Sequence, residues 1–418
     1  MPQSTAFATR AARAGRGAPP SSVSRPLVPP IHQSTVYAFE SLADVDAYYD
    51  GAAAGAVYYR YGTPTHSAFE TAVAALEGGE AAVAAASGMA AITAAVLALA
   101  GTGDRIVADR YAYGGTYTLL TVELPRLGVE VTLVDAQDHQ TVERALAPSA
   151  GTAPPKALLI EALTNPTLRV MDVPALCALG HAHEVPVIVD ATFVSPALLR
   201  PLERGAALSW HSVAKYLGGH SAATGGVISG GREMIEAIRD KIVHLGGCQG
   251  VQDAWLALLG LPTLPLRMTA HSRTARAVAE YLAAHPAVER VYYPGLPTHP
   301  GYDVAQRLYP DGCGGMMAFD LTGGKTAART VLDNLGGIAF APSLADVATT
   351  VSYPYATSHR GLPDDTLRAM GVGRGMIRLS AGIEEPDDVI ADLERALAMC
   401  GAGAQRHTAA HDAVAGAV

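Results

Sequence analysis

The sequence predicts an α/β protein. Short apolar runs recur between residues 80 and 230, and each is followed by a polar or glycine break and then a helical stretch. Composition is the other observation. Of 418 residues, 49% are hydrophobic and 17% charged, which suits a buried core and excludes a disordered chain.

The elements follow in order. The apolar runs are "AAVAAAS", "DRIVADR", "VEVTLVD", "KALLIEAL", "PVIVDATF", "LSWHSV" and "GGVISGG". Unbroken runs rich in Val, Ile and Leu suit strands covered on both faces, as in a mostly parallel sheet. Between them, "SGMAAITAAVLALAG" and "DVPALCALGHAHEV" carry helix formers and end near Gly or Pro. After residue 260 the pattern changes. "TARAVAEYLAAHPAVERVYYPGL" reads as helix then strand, "GGMMAFDLTGG" as a strand, and "DDVIADLERALAMC" as a closing amphipathic helix.

The expected organisation is an N-terminal arm over 1–60 and a large ligand-binding domain over 61–260. A smaller α+β domain over 261–400 and an Ala/Gly-rich flexible tail over 401–418 follow. The first residues, rich in Arg and Ser and without an acid before Glu40, have the composition of a transit peptide. Pro and Gly interrupt them, so an arm that clasps a partner is expected instead.

A net charge of -9 leaves no basic excess for phosphates, which argues against a general nucleic-acid binder. No apolar run approaches the ~20 residues of a membrane span. Cys177, Cys248, Cys313 and Cys400 lie far apart without zinc spacing, so buried free thiols in a reducing cytoplasm are expected. The histidines form no HExxH, and no metal is expected.

In open α/β sheets, ligands sit beyond the carboxyl ends of the strands. Ser87 and Gly88, Glu161 and Asn165, Asp190, and Ser212 with Lys215 all fall at such ends. Gly88 and Met89 open a helix whose N–H groups and dipole suit a phosphate, although Ser-Gly is also ordinary strand-to-helix punctuation. No GxxxxGK[ST] occurs, which excludes a P-loop, and no GxSxG marks a serine nucleophile. Asp190 either caps a turn or holds a proton on a ligand nitrogen.

Lys215 stands in "SWHSVAKYLGGHSAATGGVISGG", among Val, Ala, Tyr and Leu, so its stem is expected inside. There a lowered pKa would make its amine a nucleophile. A lysine with a strand-end aspartate is the pair a pyridoxal 5'-phosphate (PLP) site requires. The lysine makes the Schiff base, and the aspartate keeps the ring nitrogen protonated so that the ring accepts electrons. In "YAYGGTY", Tyr111, Tyr113 and Tyr117 serve packing, or one covers a cofactor ring. In "YYRYGTPT", Tyr58 and Arg60 belong to a surface loop or present an arginine fork to a phosphate. Arg378 in "MIRLSAG" is an internal arginine that needs an anion, and a substrate carboxylate would serve.

Taken together and in this order, the motifs resemble the Cys/Met-metabolism family of PLP enzymes, over about 26–398. The blocks include "YYRYGTPT", "SGMAAI", "YGGTY", "EALTNPTLRV", "VDATF", "HSVAKYLGGHS", "LPTLPLRM" and "YPGLPTHP". The resemblance implies the PLP-dependent transferase fold shared with aspartate aminotransferase, known as fold type I. It also implies a cytoplasmic homotetramer of catalytic dimers acting on a small L-amino acid. Lys215 then corresponds to the Schiff-base lysine, Asp190 to the pyridinium partner, and Tyr113 to the ring-stacking tyrosine that assists the leaving group. Gly88, Met89 and Ser212 correspond to phosphate contacts, and Tyr58 with Arg60 to the phosphate pair lent by a neighbouring subunit. Asn165, Ser343 and Arg378 correspond to residues around the cofactor oxygen and the substrate carboxylate.

The implied reaction is γ-elimination of the methionine/cystathionine γ-lyase kind, with γ-replacement by a synthase, or γ-elimination of an unusual amino acid, as the alternatives. Departures from the family pattern are Ala191 in place of Asn, Ala214 of Thr, Ala222 of Asp and Thr63 of Asn. Pro342 stands where Glu or Val is common, and "YPY" at 353–355 where "HPA" is usual. They predict a rebuilt pocket lining.

Overall fold

The computed structural model describes residues 6–15, 26–148, 154–358, 360 and 363–415. Residues 1–5 and 16–25 of the expected arm, and the last three residues of the expected tail, lie outside the described residues. The chain forms two units. The first takes Met1–Asp109, Leu119–Ile160 and Val173–Pro265; the second takes Arg110–Thr118, Glu161–Asp172 and Leu266–Val418.

The first unit holds a seven-stranded sheet. Its strands are β1 (Ala81–Ala85), β2 (Arg105–Asp109), β3 (Glu130–Val134), β4 (Pro155–Glu161), β5 (Val187–Asp190), β6 (Leu208–Ser212) and β7 (Gly226–Gly230). They lie in the order β1-β7-β6-β5-β4-β2-β3. Each of the seven apolar runs is therefore a strand. The pairs β2/β3, β2/β4 and β5/β6 are parallel, as expected, but β7 runs antiparallel to both β1 and β6. The physical reason is the connection: a short turn over Val213–Leu217 and a glycine-rich loop replace the crossover helix that a parallel return requires.

Strands β2 and β7 are buried throughout, while β3 at the sheet edge is partly exposed. Helices Pro64–Glu77, Gly88–Leu99 and Arg232–Leu245 pack on the β1–β7 side. Phe69 and Ile92 from these helices, with Ile106 and Leu158 from strands, are fully buried. Each such side chain contributes roughly 1.5–3 kcal/mol of apolar burial. The start of the arm is more ordered than its composition suggests: Phe7–Ala12 form a short helix with Ala11 buried. Farther along, the indole of Trp255 donates to the carbonyl of Pro29 (3.0 Å), which ties the arm to helix Val251–Gly260.

The second unit holds a five-stranded sheet of β8 (Val288–Tyr292), β9 (Met316–Leu321), β10 (Ala339–Phe340), β11 (Thr350–Ser352) and β12 (Met376–Ser380), in the order β10-β11-β12-β9-β8. All pairs are antiparallel except β10/β11. Helices Gly324–Asn334 and Pro386–Ala415 pack together. The carboxylate of Asp392 in the latter accepts the N–H groups of Gly336, Gly337 and Ile338 (2.7–2.8 Å), fixing the loop that follows the former.

No helix among the described residues is long and apolar enough to cross a membrane. All four cysteines are free, but only Cys177 and Cys313 are buried, so the expectation of four buried thiols holds for two. Desolvation pushes the Cys177 thiol up to about 12 and that of Cys313 up to about 11, leaving both unreactive at neutral pH.

Candidate active site

In the first unit the site residues gather where β5 and β6 end. Just past Ser212, in the turn Val213–Leu217, Lys215 leaves helical geometry (φ -107°, ψ -133°). Its own side chain is half-buried between buried Val213 and Tyr216. Asp190 closes β5 and pairs in register with Trp210 of β6. Thr192 joins the two strand ends: its N–H donates to Asp190 Oδ1 (2.8 Å), and its Oγ1 accepts the N–H of Ser212 (2.9 Å).

The helix Gly88–Leu99 arrives at the same place. Ser87 caps it, its hydroxyl accepting the N–H of Ala90 (3.0 Å). A Cβ added to Gly88 would stand 3.2 Å from Ser212 Cβ. One added to Gly226 would stand 2.4 Å from the Ser87 carbonyl oxygen and 2.8 Å from Gly88 Cα. Glycine at both positions therefore lets the helix N-terminus close onto Ser212. There the first N–H groups, those of Gly88 and Met89, lie at the positive end of the helix dipole.

Burial raises the Asp190 carboxyl above its ordinary range, opposed by the hydrogen bonds from Thr192 and by the nearby His211. His211 is itself bonded to fully buried Glu77 (2.5 Å). A carboxyl raised by burial gains when a cation is brought to it. A protonated ring nitrogen is such a cation, and the Gly88 helix end with Ser212 suits a phosphate. The residues present fit pyridoxal phosphate.

Tyr58 and Arg60 lie apart from this cluster, exposed at the end of the arm. The guanidinium stands 5.1 Å from the Tyr58 ring and borders a surface hollow of about 400 Å³ lined also by Tyr61, Val243 and His244. The turn is held by Tyr59, whose hydroxyl accepts the N–H of Val251 (2.6 Å).

The second unit gathers the remaining residues. Arg378, on β12 and 5% exposed, donates from Nη1 to Asn165 Oδ1 (2.9 Å) and from Nη2 to the Ser343 carbonyl (3.0 Å). Ser343 thus reaches the arginine through its main chain. Tyr113 is 41% exposed, and its N–H donates to Glu161 Oε1 at 2.5 Å. Tyr111 has the packing role: the guanidinium of Arg169 lies 4.0 Å from its ring centre.

The sequence reading placed Glu161 at a strand end but gave it no role, and it missed Thr192. Thr192 sits two residues after an aspartate, the spacing of an Asx turn, and that was its only signal. Among the departures, Thr63 has a local role. Nearly inaccessible (1% exposed), its N–H (3.1 Å) and hydroxyl (2.9 Å) both bond to His66 Nδ1, closing a capping box on Pro64–Glu77. The Tyr353 hydroxyl donates to the Arg374 carbonyl (2.7 Å), and Tyr355 packs against the buried cluster of Ala318, Leu367, Met370, Val372 and Met376. Ala191 is fully buried, whereas Ala222 and Pro342 are exposed.

A lysine turn just past one strand of a mixed sheet, with a carboxylate closing the neighbouring strand, is the build of an enzyme that uses pyridoxal phosphate. That is the class of this protein. The chain belongs to the Cys/Met metabolism PLP-dependent enzyme family, whose model matches residues 8–398. It is 38% identical over 376 residues to an L-methionine γ-lyase of Fusobacterium nucleatum subsp. polymorphum, covering 89% of this chain and 93% of that protein. It is 38% identical over 397 residues to an O-succinylhomoserine sulfhydrylase of Pseudomonas aeruginosa, covering 95% and 96%. Its structure matches the crystal structure of a cystathionine γ-synthase from Xanthomonas oryzae pv. oryzae with a TM-score of 0.88. That match spans 95% of this chain and 99% of the other at 34% identity. The family resemblance and fold type I architecture expected from the motifs are thereby borne out. The reaction class is PLP-dependent elimination or replacement at the γ-carbon of an amino acid.

Proposed function

We propose that the protein is a γ-lyase that converts an L-amino acid of the methionine type and one water to a 2-oxo acid, ammonia and a thiol. The observation that carries this reading is Pro342. It stands beside Ser343, whose carbonyl accepts from Arg378, at a place where Glu or Val is common in the family, and it brings an apolar ring without charge. A substrate with a distal ammonium group, such as cystathionine, would find no counter-charge in that side chain. A plain thioether needs none.

The family resemblance suggests the residue roles, and the geometry supports them. Arg378, steadied by Asn165 and Ser343, would bind the substrate carboxylate. Lys215 would carry the cofactor and then move the proton at Cα. Tyr113 would protonate the departing sulfur. Asp190 would hold the proton on the ring nitrogen, while Gly88, Met89 and Ser212 would bind the phosphate. Pyridoxal phosphate, when bound, supplies the electron sink for charge developing at Cα.

Product analysis tests the reading. L-methionine, L-cystathionine, L-homocysteine and O-acetyl-L-homoserine are each supplied to PLP-loaded protein, with and without an added thiol. 2-Oxobutyrate and ammonia from methionine without thiol are expected. A thioether formed only when thiol is present would make the protein a γ-replacement synthase instead.

The exposed Tyr58 and Arg60 would reach the phosphate bound by a neighbouring subunit, in a homotetramer of catalytic dimers. Leu27, Val36, Leu42 and Tyr49 on the same arm are also exposed, and such apolar side chains call for cover. Mixing inactive Arg60→Ala with inactive Lys215→Ala should restore activity, because hybrid dimers contain one intact site. No recovery on mixing counts against the shared site. A cytoplasmic location is supported by the four free thiols, and cell fractionation that finds the activity elsewhere would refute it.

A further inference from the structure

We infer that Glu161 is a positioning residue for Tyr113, and that the run from Glu161 to Asn165 sets Tyr113 and Arg378 in register. Glu161 closes β4 and is 5% exposed. Its Oε1 accepts the main-chain N–H of Tyr113 at 2.5 Å. A buried carboxylate is costly unless hydrogen-bonded, and charge-assisted bonds of this kind are among the stronger ones. The bond holds the main chain, so it places the tyrosine without touching its ring.

The same run is anchored elsewhere. The carbonyl of Ala162 accepts the Tyr309 hydroxyl (3.0 Å) and the Met171 N–H (3.2 Å). Leu163 bridges Val170, folding the chain back so that Arg169 covers the ring of Tyr111. Asn165 then bonds Arg378 (2.9 Å). On the other side of Tyr113, a Cβ on Gly114 would stand 2.9 Å from the Ser358 carbonyl oxygen, so that neighbour has no room to drift. One short, pinned segment thus grips the proposed acid at one end and the proposed carboxylate anchor at the other. Of these grips, the Glu161 carboxylate alone acts on Tyr113 through a side chain that can be changed without altering Tyr113 itself.

The inference rests on the reading of Tyr113 as the acid, and the test separates the two. Glu161→Ala, Glu161→Gln, Tyr113→Phe and the double variant Glu161→Ala/Tyr113→Phe are prepared with bound cofactor and assayed on the best of the four amino acids above. Displacing a reacting group by about 1 Å costs up to about 100-fold, so Glu161→Ala should lose about 10- to 100-fold in kcat. KM should change little, because Asn165 still holds Arg378. The visible circular dichroism of the cofactor should change, and the double variant should be no slower than Tyr113→Phe alone. Glu161→Gln, which keeps an acceptor oxygen without the charge, should lie between wild type and Glu161→Ala. It also serves alone should Glu161→Ala not fold.

Losses that multiply in the double variant, or parallel losses in kcat, KM and melting temperature, would show a merely structural role and overturn the inference. Full kcat in Glu161→Ala overturns it too, and leaves Tyr113 as the acid. Full kcat in Tyr113→Phe removes the acid reading itself.

Discussion

At Asp190 the chain places a carboxyl at the end of a buried strand, with the Thr192 N–H on one oxygen. Burial raises its pKa above the unfolded value of about 3.9. A folded pKa above the unfolded one means that the folded state holds the proton more tightly. The stability this contributes is fully present below the unfolded pKa and is lost as pH rises through the folded one. At neutral pH burial of this carboxyl therefore costs the cofactor-free protein stability, and a ring cation brought to it offsets that cost. Asp190→Asn keeps an acceptor for Thr192 and removes the charge. Its melting temperature at pH 7 should rise without cofactor and fall with cofactor, relative to wild type in each state. Shifts of the same sign in both states would refute this account of the residue.

Between strands and helices, the close approach at Gly226 decides whether the helix beginning at Gly88 can reach Ser212. Gly226→Ala puts a methyl group 2.4 Å from the Ser87 carbonyl oxygen. Overpacking of this sort costs roughly 1–3 kcal/mol, so urea unfolding should shift by that amount and cofactor should dissociate faster. Gly231→Ala, with open space around it, is the control and should change neither. Much at this scale was legible in the sequence. All seven strands announced themselves as unbroken apolar runs, and Lys215, Asp190, Ser212 and Gly88 were singled out because strand ends gather ligands. The direction of β7 was not legible, since an apolar run has no arrow. Nor did composition reveal that 110–118 and 161–172 fold with the second unit. The roles of Thr192 and Glu161 stayed hidden for another reason: the side chain of each accepts a main-chain N–H, which nearly every residue carries, so their partners leave no mark in the sequence.

At the scale of the whole molecule, acid should not attack evenly. His271 and His299 both belong to the second unit, and burial lowers each from 6.5 to about 4. A folded pKa below the unfolded one contributes stability that is present above pH 6.5 and lost as pH falls toward 4. At the acid limit each histidine withdraws about 3 kcal/mol. Both tryptophans, Trp210 and Trp255, lie in the first unit. Hydrogen exchange in the second unit should therefore accelerate between pH 6.5 and 4 before tryptophan fluorescence changes. Simultaneous loss of both signals would refute an ordered acid response. The strand order carries a consequence in time. Among the described residues β1 borders β7 and no other strand, and Ser229 bonds the Ala81 carbonyl across 148 residues of chain. At a synthesis rate of about 15 residues per second, β1 waits about 10 s on the ribosome with both edges unpaired. For most of that interval Ser212 and Gly226 are not yet made, so a nascent chain cannot capture its cofactor until near its end. For that long, each new chain depends on chaperones, or on chance, to keep β1 from pairing with a stranger.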